Sequence, residues 1–310
     1  MDSTAAEGIL RRSVVPWQLR RRQLVLGSRT LIMGVVNVTP DSFSDGGLYL
    51  EPEPAVEHAL RLLDEGADLL DLGAESTRPG SRAGDPESAA VSAEEEQARL
   101  LPVIEAVLKA RPEAVISVDT YKSATARAAV AAGAEIVNDV SGFTWDQAMA
   151  STCAELGCGV VLMHTRGTPE EWRTQAALDG DMVLPTVREG LADSLRRAVG
   201  EGISTDALVL DPGYGFGKRL DENYALLARQ AELLALGRPL LAGLSRKSFL
   251  TRTLLNAGLC EEREVSEDAR ETASIAALVV AILHGASIVR VHRVGPARVA
   301  AAVADAGLLQ

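Results

Sequence analysis

Eight apolar runs, many of them rich in β-branched residues, recur along the chain, and each ends at a polar residue. Amphipathic stretches with helical spacing separate the runs. Near-continuous apolar strands joined by helices are typical of a parallel sheet that is covered on both faces. Eight such units within about 270 residues predict one (β/α)8 barrel, a TIM barrel, whose active site lies at the carboxyl ends of its strands. The polar residues that end the runs are Asn37, Glu75, Asp119, Asn138, Asp139, His164, Asp211, Ser245, Arg290 and His292.

The same runs define the organisation of the chain. Residues 14–30 predict two short strands ahead of the barrel, which we expect to form a β-hairpin that covers its bottom end. We therefore divide the chain into an N-terminal extension with a hairpin, residues 1–30, and one barrel domain, residues 31–310. The predicted barrel strands are 31–38, 69–75, 115–119, 136–140, 159–164, 207–211, 239–245 and 287–292.

Long loops follow the first two barrel strands, one reaching about residue 53 and the other running from 76 to 91. Loops longer than about 12 residues are uncommon in compact domains unless they are functional or disordered. Both loops lie on the predicted active-site face, and both are rich in glycine, serine and hydrogen-bonding side chains. We interpret them as mobile lids rather than as unselected insertions.

Charge and composition exclude several classes of partner. A formal net charge of -12 argues against nucleic acid or an anionic membrane as the main partner, although a local cluster of basic residues can still bind a small anion. The start of the chain lacks the apolar region of a signal peptide. The three cysteines lack metal-binding spacing, and Cys153 and Cys158 are expected to be reduced. We expect a cytoplasmic protein.

The glycine-rich segment GYGFGK, residues 213–218, is neither of the common nucleotide-binding loops. A Walker A loop needs a glycine five residues before its Gly-Lys pair and a serine or threonine after it, where this chain has Pro212 and Arg219. It does not match the GxGxxG fingerprint either. A glycine-rich turn after a strand nevertheless lets a ligand approach closely, and Phe216 between two glycines is expected to be displayed.

Four polar residues are expected to point into one mouth of the barrel, because each lies at or just past a strand end. Two carboxylates, an amide and an ammonium group can hydrogen-bond a flat heterocycle that carries both donors and acceptors, such as an aminopyrimidinone. The alternative is a structural ion pair, for example between Asp211 and Lys247. The four residues are Asp119, Asn138, Asp211 and Lys247.

A second group of residues predicts an anion-binding site. Arg290 and His292 lie two residues apart on the last strand and face the same side, next to Asn37 on the first strand. This combination suits a pyrophosphate with a bound cation, because arginine matches phosphate geometry. Ser248 lies near a helix N-terminus, which favours a carboxylate, although simple N-capping is compatible with the same position. His58 and His284 are interpreted as structural.

With these residues in place, the chain resembles the dihydropteroate synthase family over about residues 31–300. That family joins 6-hydroxymethyl-7,8-dihydropterin diphosphate to p-aminobenzoate, giving 7,8-dihydropteroate and pyrophosphate. The matching motifs occur in order and on the corresponding strands. They are NVTPDSFSDGG (37–47), ESTRPGS (75–81), SVDTYK (117–122), NDVSG (138–142), MH (163–164), DPGYGFGK (211–218), SRKSF (245–249) and RVH (290–292).

The resemblance implies a role for each matched residue. The pterin site would comprise Asp119, Asn138, Met163, Asp211, Phe216 and Lys247. Asn37 with Mg2+, Arg290 and His292 would hold the diphosphate. The p-aminobenzoate site, where sulfonamides would compete, would comprise Phe43, Thr77, Arg78, Pro79, Phe216 and Ser248. Lys247, Arg290 and Asp119 would be the catalytic residues, without a nucleophile, and the protein would be a homodimer.

Three features depart from the family pattern, and two other functions remain open. Ala74 replaces a glycine, the second loop is longer through residues 82–90, and Thr165 and Arg166 replace Met-Gln. One alternative function is that of a methyltetrahydrofolate-dependent methyltransferase on the same barrel, which has no use for the SRKS and ESTRPG segments. The other is a paralogue that binds pterin without turnover, in which damaged loops would be expected.

Overall fold

A two-stranded hairpin precedes the barrel in the computed structural model, which describes residues 12–39, 52–77, 81, 83–84, 91–261 and 265–308. Strand β1 (Val15–Gln18) pairs antiparallel with β2 (Gln23–Leu26). Trp17 and Leu19 are fully buried, and Trp17 donates its indole N–H to the carbonyl oxygen of Ala207 at 2.9 Å. The hairpin that the sequence predicts is therefore present and packed.

Eight parallel strands form a closed barrel, in which each strand pairs with the next along the chain and the last pairs with the first; this confirms the predicted fold class. All eight predicted strands are present with bounds close to those expected. The seventh is the shortest, because the backbone leaves the sheet after Ala242 and turns through Arg246, at φ 59°, into the next helix. The strands are β3 (Leu31–Asn37), β4 (Leu69–Gly73), β5 (Ile116–Asp119), β6 (Ile136–Asp139), β7 (Gly159–Met163), β8 (Leu208–Asp211), β9 (Leu240–Ala242) and β10 (Ala286–Val291).

Helices cover the outside of the barrel. Their bounds are α1 (Glu53–Asp64), α2 (Ala93–Ala110), α3 (Ser123–Ala132), α4 (Met149–Leu156), α5 (Gly180–Gly200), α6 (Leu220–Arg229), α7 (Ser248–Asn256), α8 (Glu267–Leu283) and α9 (Val294–Leu308). Serine side chains start two of them: Ser92 and Ser266 each accept a backbone N–H three residues on, at 3.1 Å. In the part of the chain that the structure describes, no helix is long and apolar enough to cross a membrane.

Two apolar clusters make up most of the core. The larger one lies between the strands and the surrounding helices. The smaller one fills the barrel interior and includes Trp17 and Leu19 from the hairpin together with Leu31, Leu69 and Ile136 at or near the beginnings of strands. The hairpin therefore covers the N-terminal end of the barrel, as predicted, and leaves the carboxyl ends of the strands to form the site.

The strand register brings the predicted polar residues side by side. Asn37 pairs with Gly73, Gly73 with Asp119, and Asp119 with Asn138, across four neighbouring strands. Met163 pairs with Asp211 on β7 and β8. These residues end their strands at one level, which places them around one mouth of the barrel.

Candidate active site at the carboxyl ends of the strands

A buried network of charges lies inside the barrel mouth and is centred on Arg290. The guanidinium donates from Nε to Asp71 Oδ2 at 2.6 Å and from Nη2 to Asp119 Oδ2 at 2.7 Å. Asn138 donates its side-chain amide to the same Asp71 oxygen at 3.0 Å. Four strands thus contribute to one hydrogen-bonded group.

Burial sets the ionisation of this network. It raises the pKa of Asp119 to about 7; the positive charge of Arg290 opposes the shift, and the negative charge of Asp71 adds to it. Burial also works against the Arg290 charge, but Asp71 and Asp119 outweigh it, so the pKa of Arg290 is raised. Arg290 remains charged, and Asp119 can change its protonation state near neutral pH.

Asp71 is the site residue that the sequence interpretation missed. It lies in the middle of β4, between Leu70 and Leu72, and it is completely buried. Its Oδ1 atom is buried and has no hydrogen-bond partner among the residues that the structure describes. The sequence signal for Asp71 is an acidic residue inside an apolar strand. It lies two positions before Gly73 at the strand end, and alternate residues of a strand point to the same side, so Asp71 points to the same side as the strand end.

Asp211 and Lys247 form the opposite side of the mouth. Asp211 accepts the backbone N–H of Gly213 at 2.7 Å, and burial raises its pKa. Burial lowers the pKa of Lys247 to about 8, although Asp211 raises it. No direct ion pair joins Asp211 and Lys247 among the described residues, whereas Asp119, another of the four, is ion-paired with Arg290. Gly243 separates Asp211 from Arg290, since a Cβ there would lie 3.7 Å from Asp211 Oδ2 and 4.0 Å from Arg290 Cβ.

Phe216 faces this mouth from the glycine-rich turn, which is fixed from within. Lys218 is buried and donates to the carbonyl oxygens of His164 (3.2 Å), Gly213 (2.8 Å) and Phe216 (3.2 Å). Burial lowers the pKa of Lys218 to about 7. The ring of Phe216 is half-buried, and the Lys247 ammonium lies 3.9 Å from its centroid. The turn therefore leaves the aromatic ring half-exposed rather than buried, as the sequence predicts, and the structure adds a neighbouring cation.

His292 and Asn37 lie at the junction of the first and last barrel strands, β3 and β10, which pair in the sheet. The Ser245 hydroxyl oxygen accepts the backbone N–H of His292 at 3.3 Å and lies 3.0 Å from its Nδ1. Burial, followed by the charge of Arg290, lowers the pKa of His292 to about 3, so the imidazole is neutral. Because the serine hydroxyl can donate to Nδ1, we assign the ring proton to Nε2. Asn37 is exposed.

Comparisons with protein families and with known proteins point to one family. The family model for pterin binding enzymes matches residues 33–292. The dihydropteroate synthase of Mycobacterium leprae is 44% identical over 263 residues, which cover 85% of this chain and 88% of that protein.

The chain belongs to the dihydropteroate synthase family.

Solved members of the dihydropteroate synthase family share the fold closely. The Xanthomonas albilineans enzyme, determined with 4-aminobenzoic acid, has a TM-score of 0.81 and 40% identity, covering 95% of this chain and 98% of that one. The Yersinia pestis enzyme, determined in a sulfonamide drug complex, has a TM-score of 0.81 and 38% identity, covering 94% and 98%. The barrel is thus similar to known family members over nearly its whole length.

The residues that the family resemblance assigns to p-aminobenzoate are only partly described. Thr77 is half-buried and follows β4, and Ser248 is the exposed first residue of α7. Lys247 occupies the N-cap position of α7, and no side chain makes a capping bond there. Phe43, Arg78 and Pro79 lie outside the described residues.

Close contacts involve Glu75, just before the second loop, and two described residues within that loop. Glu75 forms a buried ion pair with Lys122, which also lies 3.4 Å from Glu96. Farther along, Gly84 packs so closely on Trp145 that a Cβ would lie 2.7 Å from its ring. Ala83 is buried in a small cluster with Tyr121, Val140 and Met163, the residue assigned to pterin packing.

The departure at Thr165 and Arg166 also has a visible structural effect. Arg166 donates to the carbonyl oxygens of Gly217 at 3.2 Å and Ala176 at 3.0 Å, and it forms an ion pair with Glu222 at 3.4 Å. Both charged side chains are nearly buried. In place of the usual family residue, arginine ties the segment after β7 to the Phe216 turn.

Proposed function

We propose that the protein is a dihydropteroate synthase that joins 6-hydroxymethyl-7,8-dihydropterin diphosphate to p-aminobenzoate. The single observation that carries this proposal is the mouth of the barrel, where Asp119, Asn138 and Asp211 lie with Arg290 and Lys247. Membership of the family supports it, and so do the relatives determined with 4-aminobenzoic acid and with a sulfonamide.

The pterin ring has a donor and acceptor pattern that this mouth complements. Asp119, Asn138 and Asp211 offer carboxylate and amide groups to the polar edge of the heterocycle. Met163 is buried at the wall of the site and would pack on the flat face of the ring. Lys247 and Phe216 close the other side, where the ammonium lies over the aromatic ring.

The reaction breaks the bond between the pterin methylene carbon and the diphosphate oxygen. The diphosphate leaves with the bonding electrons, the electron-rich dihydropterin delocalises the resulting positive charge, and the amine nitrogen of p-aminobenzoate then forms the new C–N bond and loses a proton. In this dissociative displacement the protein orients the reactants, excludes water and stabilises charge. We assign Lys247, Arg290 and Asp119 as the groups that touch the reacting substrate.

The leaving diphosphate would bind at the junction of β3 and β10. Arg290 supplies positive charge, and the neutral His292 can donate from Nε2. Within the described residues no group of three or more His, Cys, Asp or Glu side chains could hold a metal ion. Asn37 fits Mg2+ only as a minor ligand, consistent with an ion that keeps waters and binds mainly substrate phosphates. Bound Mg2+ would neutralise charge on the leaving group.

Pyrophosphate release tests the proposed function. Purified protein should release pyrophosphate and form 7,8-dihydropteroate only when both substrates and Mg2+ are present. Pterin binding without release would indicate a non-catalytic paralogue, and methyl transfer from methyltetrahydrofolate would indicate the methyltransferase. Sulfonamides should inhibit competitively with p-aminobenzoate. The substitution Ser248→Ala should weaken the binding of sulfonamides and of p-aminobenzoate.

We also propose that the protein is a cytoplasmic homodimer. The free thiols of Cys153, Cys158 and Cys260 agree with a reducing compartment. Helices α8 and α9 pack together and leave four large apolar residues exposed on the surface. Light scattering should give twice the chain mass, and charged substitutions in this patch should give monomers. The exposed residues are Val280, Leu283, Val299 and Val303.

A further inference from the structure

Two side chains from different elements hold the ring of Phe216. The Lys247 ammonium lies 3.9 Å from the ring centroid. Trp172, in a short 3-10 turn at Glu171–Arg173 after β7, packs on the same ring at 5.2 Å between centroids and an interplanar angle of 89°. Phe216 is half-buried, and these two contacts orient its ring together with its packing against the cluster of Ala83, Tyr121, Val140 and Met163.

The main chain of the turn does not by itself fix the orientation of the Phe216 ring. Lys218 binds the Phe216 carbonyl oxygen, and Asn223 accepts the backbone N–H of Gly215 at 2.7 Å, so the main chain of the turn is fixed. The side chain of Phe216 still has rotamers that a fixed main chain leaves accessible. Three sets of contacts select among them: those with Lys247, those with Trp172, and packing against the small apolar cluster that includes Met163.

Trp172 is itself held firmly against the turn. Its indole N–H donates to the carbonyl oxygen of Gly167 at 3.2 Å, and its backbone N–H donates to Thr168 at 3.2 Å. Gly217, at φ 68°, permits this approach, since a Cβ there would lie 3.0 Å from Trp172 Cδ1 and 2.7 Å from Arg166 Cβ. The segment after β7 is therefore locked onto the Phe216 turn.

We propose that Trp172 is a positioning residue that acts through the ring of Phe216 to hold the Lys247 ammonium at the substrate site. An ammonium over the face of an aromatic ring is attracted by the ring, and the attraction depends on the orientation of that ring. The charged groups that also face Lys247 are Asp211, Asp119 and Arg290, from β8, β5 and β10. The consequence for catalysis rests on the proposed function, whereas the effect on Lys247 does not.

The substitution Trp172→Leu removes the aromatic contact while keeping an apolar side chain. Losing the ordered ring disfavours the charged form of Lys247, so its pKa should fall by about half a unit. This can be measured without any substrate, by competitive labelling of the Lys247 amine across a pH series followed by mass spectrometry. In steady-state assays, kcat/KM for the pterin substrate should fall about three- to tenfold, and its alkaline decline should move to lower pH.

Two further variants separate positioning from a loss of packing. Trp172→Phe keeps an aromatic ring and should recover most of the pKa of Lys247. Trp145→Leu removes a half-buried tryptophan whose ring packs on Tyr121 at 5.1 Å, so it should lower Tm without moving that pKa. An equal shift in the Trp145 and Trp172 variants would overturn the proposal.

A double-mutant cycle with Phe216→Leu tests the route of the effect. If Trp172 acts through Phe216, adding Trp172→Leu to the Phe216→Leu protein should change the pKa of Lys247 no further. An additive shift would refute the route, and an unchanged pKa and kcat/KM in Trp172→Leu alone would refute the role. A labelling shift in a protein whose wild type forms no dihydropteroate would support the positioning role and reject the proposed function.

Discussion

Replacing Asp71 by asparagine tests how the buried charge network is held together. Asp71 is completely buried and accepts hydrogen bonds from Arg290 at 2.6 Å and from Asn138 at 3.0 Å. The substitution Asp71→Asn keeps the size of the side chain but removes its charge. The arginine then has one carboxylate partner, Asp119, instead of two.

The expected magnitude follows from these contacts. Removing one partner of a buried ion pair costs about 3–5 kcal/mol when the remaining charge is left alone. Arg290 keeps its bond to Asp119 at 2.7 Å. Loss of the Asp71 charge also lowers the pKa of Asp119, which strengthens the remaining pair at neutral pH. We therefore expect the smaller loss of a charge-assisted bond, about 2 kcal/mol in the free energy of unfolding. For a chain of 310 residues that loss corresponds to a decrease in Tm of about 3 °C.

Urea unfolding followed by circular dichroism at pH 7 measures this loss, with Asp64→Asn as the matched control. Asp64 forms an ion pair with Arg111 at 2.9 Å in which both side chains are exposed, so its loss should cost less than about 1 kcal/mol. Pterin affinity should also fall in Asp71→Asn, because the amide of Asn138 loses its charged acceptor. Equal stability for wild type and Asp71→Asn, within about 0.5 kcal/mol, would refute the reasoning.

Four further outcomes are expected. Asp211→Asn removes a charged hydrogen-bond acceptor, and a hydrogen bond to such a group contributes roughly 1.5–3 kcal/mol. Calorimetry should therefore show at least about a tenfold rise in pterin Kd. Unchanged pterin affinity with a lower free energy of unfolding would mean that Asp211 has a structural role. Burial lowers the pKa of Lys218 to about 7, so above that pH the unfolded chain binds more protons on this amine and the free energy of unfolding should rise with pH from about 7 to 10. Lys218→Met should reduce this slope and leave the part that comes from Lys247, and an unchanged slope in Lys218→Met would contradict the assignment. Excess EDTA should abolish turnover, and full activity would reject the metal. We expect p-aminobenzoate to bind more tightly with pterin and pyrophosphate present, because the glycine- and serine-rich sequences of the two long loops predict a site that is assembled on the bound pterin and diphosphate. Equal affinity in both conditions would mean a preformed site.

The site residues at the carboxyl ends of the strands can be predicted from the sequence, because in a barrel the carboxyl ends of all the strands surround one site. Asp119 and Asn138 end adjacent strands and pair directly in the sheet. Their convergence therefore needs only the correct strand ends, which apolar runs mark clearly.

Asp71 and Trp172 were not predictable in the same way. An acidic residue inside an apolar strand marks Asp71 as unusual, but its partner Arg290 is 219 positions away, so the sequence does not show what Asp71 binds. Trp172 lies in an irregular segment after β7, where neither helical nor strand periodicity indicates which way a side chain points. Both roles depend on contacts between distant segments, which a single sequence does not specify.

The hairpin has a consequence for the order in which the chain can fold during synthesis. Its indole N–H partner, the carbonyl of Ala207, is 190 residues away, and its apolar neighbours extend to Leu241 and Ile288. A two-stranded hairpin is marginally stable by itself in water. Trp17 and Leu19 therefore leave the ribosome long before their binding surface exists, and they stay exposed until the final strands arrive. Growing chains are expected to present these two residues to chaperones, and N-terminal fusions that obstruct the hairpin should delay the last step of barrel closure.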